Sequence, residues 1–90
     1  MLDRADLVEL VMDAETDLGI SLSEDERTRL ATGTAADLWR IVARARTGDE
    51  PSADALPDPA DPLWRHVRGW IALQLDVPSE GVTPERRLLA

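Results

Sequence analysis

The sequence predicts an all-α fold, a small four-helix bundle, on three observations. Apolar residues recur at spacings of three and four in three long stretches, the period of a helix with one buried side. Each expected helix start carries a side chain that can accept from otherwise unpaired backbone N–H groups: Asp3, Ser23, Thr34 and Asp61. Two glycines, Gly19 and Gly48, stand where the first and third helices should stop.

Taken in order, the first helix is expected from about Asp3 to Leu18, with Leu7, Leu10, Val11, Ala14 and Leu18 as its apolar stripe. Asp6, Glu9, Asp13 and Asp17 form a second stripe at spacings of three and four, which lays four like charges along one exposed edge. Ser23 and Glu26 make a capping box for a short helix ending near Leu30. Thr34 and Asp37 repeat the device for a helix over roughly Ala35 to Arg46, with Ala35, Leu38, Ile41, Val42 and Ala45 inward and Arg40 and Arg44 outward. Residues 48–60 hold Pro51, Pro57, Pro59 and four acids, and read as a linker that can reach about 30 to 40 Å. Asp61 and Pro62 open the last long helix, which carries Leu63, Val67, Trp70, Ile71 and Leu75 inward and should finish near Asp76. Trp64 falls beside that stripe and is expected to be only partly covered. Thr83 and Pro84 indicate one closing turn ending in Leu88, Leu89 and Ala90, leucines that should dock on something.

Ninety residues fit one domain with a thin core, since a chain this short buries only about 60 to 65% of the surface it exposes when unfolded. The organisation expected is therefore 1–47, linker 48–60 and 61–90, all in one domain. Three Trp, with no Phe or Tyr, are the only large rings available to close it. No apolar run approaches the roughly 18 residues that span a bilayer, and the head is acidic where a signal peptide is basic, so a soluble cytoplasmic protein is expected. The net charge of −8 is uneven: residues 1–30 hold nine acids against three Arg, a net −6. That pole repels phosphate backbones and favours a basic protein partner over nucleic acid.

Chemistry is sparse. There is no Cys, His66 is the single histidine, and no phosphate loop, nucleophile elbow or His-Glu metal motif occurs. No enzyme, no metal and no cofactor are expected. The carboxylate stripe lies on a convex helix and lacks the cleft that a catalytic acid–base pair needs.

The run Asp6-Leu7-Val8-Glu9-Leu10-Val11-Met12 resembles the recognition helix of acyl carrier proteins, in which an Asp-Ser-Leu triplet precedes such a run. Gly19-Ile20, the acidic turn Glu24 to Glu26, and Thr34 with Asp37-Leu38 continue the likeness. The tail residues Val67, Trp70, Ile71, Leu75 and Val77, then Val82-Thr83-Pro84 and Leu88-Leu89, are similar to the family's first helix and long loop. The resemblance implies a circular permutation: the family's second, third and fourth helices come first, then a linker, then its first helix, with Ala90 and Leu2 flanking the old loop. New ends are best tolerated in exposed loops, and contacts are indifferent to chain order.

In that alignment Asp3, Arg4 and Ala5 stand where the family has Asp, Ser and Leu. Arginine has no nucleophilic oxygen, so the phosphopantetheine arm cannot be attached at Arg4. The resemblance further implies that the acidic helix is the docking surface, with Arg4, Asp6, Glu9, Asp13, Glu15 and Asp17 meeting a basic patch on a fatty-acid or polyketide type enzyme. Two alternatives stay open: a true carrier modified at another serine (Ser21, Ser23, Ser52 or Ser79), and a structural or regulatory adaptor unrelated to acyl transfer. The linker also allows either a monomer or a dimer in which the tail helix is swapped.

Overall fold

A computed structural model describes residues 3–52 and 54–89 of the chain. Among these residues there are four α-helices, α1 (Arg4–Leu18), α2 (Glu24–Leu30), α3 (Ala35–Thr47) and α4 (Pro62–Leu75), a 3-10 turn at Ser79–Gly81, and no strand. Asp3 caps α1 by accepting from the Asp6 amide, and the Asp6 carboxylate accepts from the Asp3 amide in return. Ser23 with Glu26 and Thr34 with Asp37 form the two expected boxes on α2 and α3. Gly19 and Gly48 close α1 and α3 at φ 64° and 85°, where a Cβ would be strained. Asp61 caps α4 ahead of Pro62, and Asp76 ends it in the left-handed region.

All four helices feed one core. Leu10, Ala14, Leu30, Ala35, Leu38, Ile41, Val42, Val67 and Ile71 are its most enclosed members, and Leu22, Val82 and Leu88 close it from the loops. Helix α4 packs on both α1 and α3 of its own chain. Two indoles pin these contacts through their N–H groups: Trp70 Nε1 donates to Asp17 Oδ2 on α1 at 2.8 Å, and Trp39 Nε1 donates to Asp61 Oδ2 at 3.2 Å. Asp61 thus caps α4 with one oxygen and fastens it to α3 with the other. No helix among the described residues is long and apolar enough to cross a membrane.

Three expectations about side chains and linker are corrected. Trp64 is fully enclosed, at 2% exposure, because α4 lies between two partners and buries a wider arc than one stripe. Arg40 points inward rather than to solvent: it is 8% exposed, its Nε donates to Ser52 O at 3.2 Å, its Nη2 to Ala55 O at 2.6 Å and its Nη1 to Asp37 Oδ1 at 2.8 Å. Residues 48–52 and 54–60 therefore form a strap folded onto α3 and do not use the reach a linker of this length allows, with Pro57 buried and turns closed by Ala55 N to Ser52 O and Asp61 N to Asp58 O. The slack in the segment is taken up locally.

The tail docks as expected, but on a backbone target that apolar spacing does not reveal. Ala35 and Ala36, at the start of α3, donate to Arg86 O and Pro84 O, and Leu88 N donates to Gly33 O. The tail carbonyls thus satisfy amides that the helix itself leaves unpaired. The Thr34–Arg87 bridge is the one β-type pairing among the described residues. Met1, Leu2 and Ala90, the expected join, lie outside the described residues. Leu88→Ala should cost about 2 to 5 kcal/mol, the range for truncating a leucine as enclosed as this one. Leu89→Ala, at a half-buried site, should cost under about 1 kcal/mol, both read from urea melts.

Candidate interaction face

Helix α1 turns Leu7, Leu10, Val11 and Ala14 into the core, and this fixes what the rest of its surface presents. With about 3.6 residues per turn, three further ridges follow. Arg4, Val8, Met12 and Glu15 face α2; Ala5, Glu9 and Thr16 face outward; Asp6, Asp13 and Asp17 lie toward α4. The ridge facing α2 borders a groove of about 510 Å³ whose other wall is Glu24, Arg27, Thr28 and Ala31. Val8 and Met12 stand on its lip, each 58% exposed, so α1 holds two large apolar side chains in water one turn apart.

The acids of α1 divide by what they already hold. Asp6 belongs to the capping box, and Asp17 accepts from the Trp70 indole. Glu15 accepts from the Leu22 amide at 3.0 Å and pairs with Arg27 at 3.2 Å, fixing the turn between α1 and α2. Glu9 and Asp13 are exposed and have neither hydrogen bond nor ion pair among the described residues. Arg4, also exposed, is the first residue of α1 and has no carboxylate within ion-pair distance there. Of the six residues singled out from the sequence, three therefore do structural work, and Arg4, Glu9 and Asp13 are left facing solvent around Val8 and Met12.

Helix α2 forms the far wall and is held by ion pairs at three points: Arg27–Glu15 to α1, Arg44–Glu26 to α3, and Arg29–Glu50 to the strap. Glu26 is the buried member of this set, and its other oxygen accepts from the Ser23 amide. The pairs themselves are mostly exposed and contribute little stability each, and only Arg27–Glu15 spans the groove between its two walls.

Among the described residues no three His, Asp or Glu side chains converge as a metal site. Ser23 Oγ is occupied as the cap of α2, and Ser52 Oγ accepts from the Asp54 amide. Ser21 precedes Leu22 in the turn, and Ser79 lies half-buried in the 3-10 turn. His66 is exposed, with its ring 6.0 Å from that of Trp70. Val8 and Met12 were legible as apolar residues off the core stripe, four apart on a charged helix, yet charge spacing alone does not single them out. No family model, curated protein or solved structure matches this chain.

Proposed function

We propose that this chain is a carrier-like helical bundle without a prosthetic arm, acting as a protein-binding module in or near fatty-acid or polyketide type metabolism. Its docking surface is the solvent side of α1 together with the α1–α2 groove. The observation that carries the reading is the pair Val8 and Met12, 58% exposed beside a groove and flanked by the uncommitted carboxylates Glu9 and Asp13. An apolar centre ringed by one sign of charge suits a partner with an apolar anchor inside a basic rim: the anchor supplies affinity, and the charges supply orientation and association rate. Packing of α4 on both α1 and α3 is what a permuted carrier bundle requires, and it supports that part of the reading. Arg4 at the start of α1 removes the nucleophile on which a prosthetic arm would depend.

Two measurements test this. Incubation with a phosphopantetheinyl transferase and coenzyme A should leave the intact mass unchanged; gain of one arm would make the chain a true carrier. Titration of a cationic amphipathic helical peptide, followed by amide NMR, should move resonances of α1 and α2 around Val8, Glu9, Met12 and Asp13. Met12→Asp should weaken the peptide about tenfold or more, and Glu9→Lys with Asp13→Lys similarly, with the wild-type affinity falling as salt rises. Equal binding by all three chains, or shifts confined to another face, would overturn the docking site.

A further inference from the structure

We infer that α4 is a self-association surface, on which a second copy of this chain packs across a two-fold axis with Leu73 seated over Gly69 of the other copy. Four observations, none of them involving the α1 face, lead there. First, Leu73 is 81% exposed, more than any other large apolar residue described. Second, it borders a concavity of about 490 Å³ lined by Gly69, Ala72, Asp76 and Val77, a hole next to a knob.

Third, Gly69 sits in the interior of α4, where glycine is a poor helix former, yet a Cβ built there meets nothing within 4 Å. The isolated fold therefore has no packing reason for glycine at this position. At about 3.6 residues per turn, Gly69 points away from the face defined by Trp64, Val67 and Ile71, so it occupies the middle of the solvent side. A glycine there admits close approach by another body.

Fourth, the charges are self-complementary in one register. Helix α4 contains Arg65, His66 and Arg68 and no acid, whereas each of the other three helices contains carboxylates. Within α4 itself no carboxylate would therefore face the second copy. A two-fold axis at the level of Ile71 sets Leu73 opposite Gly69 of the second copy. The same axis brings Asp76, at the end of α4, level with His66 and beside Arg65 of the second copy. Each contact occurs twice, as an isologous interface demands. A shift by one turn in either direction loses both matches.

A single helix pair buries less than the roughly 1,200 Å² typical of stable complexes, so the dimer belongs with weak interfaces. Sedimentation equilibrium from about 10 μM to 1 mM should show the weight-average mass rising from monomer toward dimer, with a dissociation constant on the order of 100 μM. Leu73→Glu should remain monomeric across that range. Gly69→Met should fill the hole and weaken association at least fivefold while the dilute protein melts no lower than wild type, since nothing in the monomer opposes the new side chain. A wild-type chain that stays monomeric at 1 mM overturns the proposal. So does a dimer that survives both variants, as one formed by exchange of α4 between copies would.

Discussion

Trp64→Ala is expected to destabilise the fold by about 3 to 5 kcal/mol, the range for removing a buried large aromatic side chain. A 90-residue domain has a total stability on the order of 5 to 10 kcal/mol, so this one change should consume much of it. The reason lies in how few large rings there are: three Trp close a core otherwise built from Leu, Ile, Val and Ala. Trp64 is 2% exposed on α4, the helix that packs against both α1 and α3, so the void would open inside the shared core. Neighbours pinned from several sides cannot all move to fill it. Urea unfolding followed by far-UV circular dichroism should show the midpoint drop, and Trp64→Phe should recover most of it because the ring is largely replaced. Trp70→Phe separates packing from polarity: it keeps an aromatic ring but abandons Asp17 Oδ2, and should cost about 1 kcal/mol or somewhat more. A Trp64→Ala chain that melts within about 1 kcal/mol of wild type would mean that α4 is not seated in the core as described.

The element boundaries were legible because the signals that set them are local. Ser23 with Glu26, Thr34 with Asp37, Asp61 before Pro62, and Gly19 and Gly48 each act within four residues of the boundary they mark. What could not be read is whatever depends on a partner distant in sequence. Asp17 resembles any exposed acid until the Trp70 indole, 53 positions away, donates to it. Glu15 counts as one more charge on an acidic helix, although it ties Leu22 and Arg27 to α1. Periodicity assigns Arg40 to the surface because it knows only the helix that carries the side chain, not the strap that covers it. Proline content made residues 48–60 read as a linker with long reach, but prolines also fix turns, and buried Pro57 with the carbonyls of Ser52 and Ala55 gives the strap an anchorage. The docking face was half legible: the acidic helix was visible, but charge spacing did not separate Glu9 and Asp13 from the acids already engaged, nor rank Val8 and Met12 above them.

Arg40→Ala should cost roughly 2 to 4 kcal/mol, an effect disproportionate to a change that removes one charge from an otherwise ordinary helix position. The guanidinium donates to two strap carbonyls and one carboxylate from an 8% exposed site, and hydrogen bonds from charged groups contribute about 1.5 to 3 kcal/mol each before non-additivity. Its loss leaves Asp37 without a counter-charge while that side chain still caps α3, and leaves Ser52 O and Ala55 O to be rehydrated. Arg40→Lys should fall between, since an ammonium keeps the charge but cannot serve three acceptors spread around a planar fork. The location of the damage is the sharper test. Lengthening a flexible connection between packed helices adds little loop entropy, so α4 should stay on α1 and α3 while residues 49–60 come free. Hydrogen exchange in Arg40→Ala should therefore accelerate most at Ala55 and nearby strap amides, and a protease should cut near Leu56 while α1 to α3 remain protected. If exchange rises uniformly along the chain instead, Arg40 supports the whole core; if it does not rise at all, the strap is held by Pro57 and its own turns and the guanidinium is incidental to it.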